Sequence, residues 1–172
     1  MAVSGSNSTG KTTLCKVLSM RLNWKHVTVG GEIRKLAEEF NFNIEEFGSL
    51  PDEILIEVDN RMRERMTTEK NTIWDSRLSC YLSKDFDKIF KVLCVANINV
   101  RTLRSSKRDK ISVDDARKLI YKRESEESAV FKRLYGLSNP FNEKWMDLII
   151  DTSYLTPEEL AQKVITVLEL SI

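Results

Sequence analysis

The chain reads as an α/β protein built on a five-stranded parallel sheet with helices on both faces. Three observations predict this. Apolar or β-branched runs alternate with amphipathic helical stretches along all 172 residues. The run at residues 88–96 is apolar enough to lie buried on both faces, as strands of parallel sheets do. A glycine-bounded loop at residues 5–11 joins the first apolar run directly to a helix.

The elements follow in order. Residues 2–4 form a short first strand, three residues where ~5 is typical. Residues 11–22 form a helix, with Leu14, Val17, Leu18 and Leu22 on one face. Residues 27–29 are the second strand and 31–40 the second helix. Asn43 is placed to cap a further helix, with Glu46 at the capping-box position. Pro51 and Asp52 open a longer one, ending near Met66. Residues 71–75 and 88–96 are the third and fourth strands. A helix at 99–107 ends in a basic cluster, and Ser112, with Asp115 three residues on, caps the next. Residues 147–151 are the fifth strand. Thr156, Pro157 and Glu159 together mark the start of a final helix whose apolar face is Leu160, Val164, Val167 and Leu168.

Composition narrows the function classes. The length suits a single domain, 1–172, able to build its own core without a disulfide or metal staple. The 27 Lys+Arg and 26 Asp+Glu nearly cancel, which argues against a basic nucleic-acid binder and against an acidic disordered chain. No apolar run approaches the ~20 residues of a membrane span, and no signal peptide is expected. Cys15, Cys80 and Cys94 stand far apart, as free thiols of a reducing cytoplasm do. The one histidine, His26, makes no familiar zinc spacing with them.

The chemistry starts at Gly5-Ser6-Asn7-Ser8-Thr9-Gly10-Lys11-Thr12-Thr13, a G-x-x-x-x-G-K-[ST] phosphate loop between strand and helix. Glycines let the backbone turn its N–H groups toward phosphate oxygens, and the helix N-terminus adds partial positive charge. Lys11 supplies a point charge to the β/γ-phosphates, and Thr12 a hydroxyl for Mg²⁺. A guanine-reading N-K-x-D is absent, and Ile73-Trp74-Asp75 is only a weak match to the acidic strand end of an ATPase motor. Instead arginines follow the strand ends: Arg34, Arg77, Arg101, Arg104, Arg108 and Arg123. Such forks suit the several anionic phosphates of phosphoryl transfer.

These residues resemble the archaeal-type cytidylate kinases, small nucleoside monophosphate kinases, over nearly the whole chain. Gly30-Gly31-Glu32-Ile33-Arg34-Lys35-Leu36-Ala37 is similar to their G-E-[IL]-F-R-x-L-A, and Asp75-Ser76-Arg77-Leu78 to their E-G-R-L turn. Arg101-Thr102-Leu103-Arg104 with Lys107-Arg108-Asp109-Lys110-Ile111-Ser112-Val113 resembles their lid. Arg123-Glu124, Tyr135-Gly136 and residues 147–153 resemble their tail. The resemblance implies a three-layer P-loop kinase fold with sheet order 2-3-1-4-5, a helical acceptor-binding flap at 43–66 and a lid at 99–123. It implies transfer of the γ-phosphate of ATP to CMP or dCMP with Mg²⁺, by a cytoplasmic monomer. Arg34, Arg77 and Gly30 would hold the acceptor, Asp59 and Arg61 would read its base, and Lys11, Arg104, Arg108 and Arg123 would act on the transferring phosphate. Thr12 and Asp75 would hold the metal. The lid arginines are expected to stand in water when the enzyme is open.

Val130 stands where the family has arginine, Ser138 where it has aspartate, and Ser76 where it has glycine. These departures leave open a P-loop kinase for another nucleotide or small anionic acceptor. A non-catalytic nucleotide-binding module is the third reading, disfavoured because a pure binder has no use for a lid.

Overall fold

Successive side chains on a strand point to opposite faces, so neighbouring apolar residues must be covered from both sides. Ala2 packs into one core and Val3 into the other; Trp74 and Ile73 divide in the same way. The computed structural model describes residues 1–40 and 51–171. Its elements are β1 (Ala2–Ser4), α1 (Lys11–Leu22), β2 (Lys25–Thr28), α2 (Val29–Phe40), α3 (Asp52–Thr68) and β3 (Thr72–Asp75), then α4 (Ser79–Leu82), β4 (Lys91–Val95), α5 (Ile98–Asp109), α6 (Val113–Tyr135), β5 (Leu148–Asp151) and α7 (Pro157–Leu170).

The strands pair in parallel in the order β2-β3-β1-β4-β5, as expected. One core packs α1 and α7 against the sheet through Leu14, Leu18, Leu160 and Val164. The other packs α2, α3 and α6 through Ile33, Leu36, Leu55, Val58, Met62 and Phe131. α7 begins with the full capping box of Thr156 and Glu159 and with Pro157 in its first turn. Ser112 caps α6, which ends at Gly136. Among the described residues no helix is long and apolar enough to cross a membrane.

Boundaries differ where a local hydrogen bond decides them. β2 ends at Thr28 because its hydroxyl accepts from Gly31 N at 3.1 Å, so α2 starts at Val29 rather than Gly31. β4 begins at Lys91, not residue 88. The Lys91 ammonium donates to the carbonyls of Phe86 and Ile89 at 3.1 and 3.0 Å, which closes those residues into a turn. The short α4 and a 3-10 turn at Glu143–Trp145 carry too few residues to show a helical period. The Asn43 cap, its Glu46 partner and the first part of the 43–66 flap lie outside the described residues.

β1 delivers its last residue to the carboxyl edge of the sheet, where Gly5 turns at φ +151°. A Cβ on Gly5 would lie 2.4 Å from the Cys94 carbonyl oxygen of β4. Only a residue without a side chain lets the loop leave the sheet here. Gly5→Ala is therefore expected to lower stability by about 1–3 kcal/mol from backbone strain and overlap together. The measurement is the urea midpoint of unfolding.

Candidate active site

The carboxyl ends of β1, β2 and β3 and the segment after β5 open into one cleft of about 1240 Å³. That exceeds the ~300–1,000 Å³ that a single small ligand occupies, so two ligands fit together. The loop residues Asn7 to Thr13 line one end, together with Asp75, Arg77, Arg104, Arg108 and Thr152. Leu55, Val58, Asp59, Val130, Phe131, Leu134 and Tyr135 line the other, with Gly30 and Arg34 at its side.

The loop's shape rests on three left-handed residues and a clamp. Gly5, Ser8 (φ +60°) and Gly10 (φ +86°) turn the backbone inward. Thr9 donates from its hydroxyl to Ser6 O at 3.0 Å. Thr152, buried after β5, donates to Thr9 O and accepts from Arg104 Nη1 at 3.0 Å, while Arg104 Nη2 donates to Thr152 O. Gly5 and Ser6 form the wall behind the lining rather than the lining itself.

Lys11 and Thr12 open α1 beside Asp75. Burial pushes the Lys11 ammonium below its usual range, and the Asp75 carboxylate opposes that. At Asp75 burial pushes the carboxyl up, but hydrogen bonds from His26 and Thr12 and the Lys11 charge outweigh it, and the net displacement is downward. Asp75 is an anion in this site, and its oxygens, with the Thr12 hydroxyl, make a hard donor set. Lys11 is half-buried in the cleft rather than on the open surface expected of a loop.

The arginines divide into three groups. Arg77 reaches Asn7 Oδ1 at 2.5 Å, and its Nε lies 2.5 Å from Glu127 Oε2, too poorly aligned to donate. Asn7 in turn donates to both Glu127 oxygens at 3.3 Å. Arg101 stands outside the lining and braces the loop, donating to Asn7 O at 2.8 Å and pairing with Glu124. Arg34, Arg108 and Arg123 are exposed and border the cleft. Arg108 is held over Asp109, whose carboxyl it draws down to about 2.

Two expectations are corrected. Arg104 does not stand in water; the Thr152 clamp holds it against the loop, so only Arg108 and Arg123 match the open-lid picture. Arg61 does not reach the cleft. It pairs with Glu57 and Glu39 at 2.7 and 2.8 Å, because the helical i, i+4 spacing puts a nearer anion on its own face.

At the apolar end of the cleft Asp59 is drawn into the wall and accepts from Tyr135 Oη at 2.6 Å. Burial pushes its carboxyl up to about 6, although the tyrosine bond opposes this. Val130 is buried in one cluster with Leu55, Val58 and Phe131, so it adds apolar wall here and no charge. Ser138 is exposed. Glu127, Tyr135 and Thr152 escaped the sequence reading as site residues. Glu127 and Tyr135 lie on the α6 stripe 123, 127, 130/131, 134/135, so the helical period alone held that signal.

Comparison with known proteins agrees with this architecture. The model of the cytidylate kinase-like family matches residues 1–154. A cytidylate kinase of Pyrococcus abyssi is 38% identical over 162 residues, covering 92% of this chain and 87% of its own. Among solved structures, an uncharacterized protein from Eubacterium ventriosum superposes with a TM-score of 0.76 at 15% identity, covering 98% of this chain and 96% of its own. A shikimate kinase from Acinetobacter baumannii, in complex with shikimate, superposes with a TM-score of 0.63 at 16% identity, covering 98% and 92%. These two structural likenesses show the fold alone.

Asp59 carries the pH signature of the apolar end. Its folded value, about 6, stands above the ordinary 3.8, so the native state holds the extra proton between them. Stability from this group therefore falls as pH rises from ~4 to ~6. Tyr135→Phe removes the bond that favours the carboxylate, and the Asp59 midpoint is expected to move further up. Titration of the side-chain carboxyl carbon by NMR reads it directly.

Proposed function

The chain belongs to the cytidylate kinase-like family, and we propose that it transfers the γ-phosphate of ATP to CMP or dCMP. The observation that carries this reading is the single cleft with a phosphate loop at one end, an apolar pocket holding a carboxylate at the other, and arginines between them. Phosphoryl transfer needs little covalent chemistry from a protein. It needs two anionic substrates in line and charge neutralised as the group moves.

Each residue has a part in that work. The loop amides and the N-terminus of α1 receive the donor phosphates. Lys11, held beside Asp75, neutralises charge at the β/γ end. Thr12 and Asp75, a hydroxyl and a carboxylate, suit Mg²⁺, which when bound would neutralise phosphate charge. Arg104 fixes the loop's far side through Thr152 and faces the same phosphates. Arg108 and Arg123 come in from the lid and exclude water on closure. Arg34 and Arg77 grip the acceptor phosphate beside Gly30, with Arg77 drawn from its Glu127 pair. Asp59, oriented by Tyr135, accepts from the exocyclic amino group of cytosine. The chain works as one kinase domain with α3 in the flap, as a cytoplasmic monomer; three buried free thiols suit a reducing compartment.

ADP release coupled to a panel of nucleoside monophosphates and small acids tests the reading. CMP- or dCMP-stimulated turnover is expected. Stimulation by a different acceptor alone, or by none, would overturn it.

Two sets of variants follow. Lys11→Ala is expected to lower kcat by about 10²–10³-fold or more, the scale of one preorganised electrostatic donor. Arg108→Ala should lower kcat strongly and leave the acceptor KM nearly unchanged. Arg34→Ala should raise the acceptor KM more than it lowers kcat, because the phosphate it grips does not transfer. Steady-state kinetics on each variant decide; the same pattern in both arginine variants would contradict the division.

A further inference from the structure

Two residues with no part in phosphoryl transfer converge on Asp75 beside Lys11. Cys15 lies on α1, His26 on β2 and Asp75 at the end of β3. Their ligating atoms all lie within 4.8 Å of one another. No sequence spacing announces the group, because the pairing of β2 with β3 and the packing of α1 on the sheet bring it together. All three side chains are sheltered. Cys15 is fully buried, Asp75 is 4% and His26 14% exposed.

We propose that Cys15, His26 and Asp75 form a site for a thiophilic divalent cation such as Zn²⁺ or Cd²⁺, whose binding switches the cleft off. The donor set is a thiolate, an imidazole and a carboxylate, the mixture that zinc selects over magnesium. His26 Nε2 and Asp75 Oδ2 are already 3.1 Å apart, near the ~3.3 Å that separates two light ligands of a tetrahedral shell with ~2.0–2.1 Å bonds. The Cys15 thiol is free, so it has no disulfide to break. The sulfur already lies within 4.8 Å of both other donors, and water would supply the fourth ligand. The thiol proton leaves to solvent as the metal–sulfur bond forms, and the imidazole shifts to the tautomer with its proton on Nδ1, which frees the His26 Nε2 lone pair now turned toward Asp75. The ion would sit beside the Lys11 ammonium, whose charge acts on both Cys15 and Asp75. Occupancy therefore repels Lys11 and takes Asp75 from the oxygen set that suits Mg²⁺. Lys11 makes the site weaker than an isolated cage of the same ligands.

Titration of the full chain with CdCl₂ tests this without reference to turnover. Thiolate-to-cadmium charge-transfer absorption is expected in the ultraviolet, saturating at one ion per chain. Cys15→Ser should remove it, Cys94→Ser should keep it, and His26→Gln should raise the Kd at least tenfold. Urea midpoints of the variants establish that each is folded. Absence of the band, or an unchanged band in folded Cys15→Ser, overturns the proposal. In the presence of excess Mg²⁺, ZnCl₂ should slow ADP release by the wild-type chain at least tenfold more than by Cys15→Ser, each relative to its own rate. Equal inhibition would refute the switch while leaving the cation site standing. Failure of every acceptor to stimulate turnover would bear on the kinase reading alone, since the absorption readout needs no substrate.

Discussion

The cleft depends on the close approach of the Gly5 backbone to the Cys94 carbonyl. β1 is the central strand, so its end must leave the sheet between two neighbours, β3 and β4, that give it no room. The loop therefore rises over the carboxyl edge instead of spreading sideways. Everything after it inherits that direction. α1 starts beside Asp75, Lys11 comes back over the strand ends, and Asn7 is carried toward α6.

Polar groups drawn into this edge are held by one another. Thr152 bonds the loop and Arg104 together, Asn7 joins Arg77 to Glu127, and His26 lies against Asp75. Each such contact offsets the desolvation of groups that an apolar neighbour would leave costly. Among the described residues Arg77 Nε, Ser8 Oγ and Thr102 Oγ1 are buried without an aligned partner. Arg77 Nε still lies 2.5 Å from Glu127 Oε2, so the carboxylate charge compensates the guanidinium although the donor is not aligned.

The fold was legible because its signals are local. The phosphate loop is contiguous, the strands are short apolar runs, and caps such as Thr156 with Glu159 lie three residues apart. The donor end of the site was legible for the same reason. The other end was legible only in part: Gly30, Arg34 and Asp59 line the cleft as expected, but the contacts that hold it together were not foreseen. Tyr135 meets Asp59 across 76 residues and Asn7 meets Glu127 across 120, and no spacing rule reaches so far. Arg61 and Arg104 looked alike as basic residues on helices. Only the third dimension gives one a pair of glutamates and the other a buried threonine. The Thr28 cap and the Lys91 turn moved two strand boundaries because a single side chain, absent from any periodic pattern, ended the element.

α6 is one unbroken helix of 23 residues, and it carries Glu124 toward the loop, Glu127 toward Arg77 and Tyr135 toward Asp59. A helix turns ~100° per residue, so one residue gained or lost between Glu127 and Tyr135 would swing every later side chain off its partner. Change along this stretch of the rod is thereby confined to exchange of one side chain for another at fixed length. Side chains of the pocket wall can be exchanged position by position, but no residue can be inserted between Glu127 and Tyr135 without rebuilding the Asp59 end of the cleft.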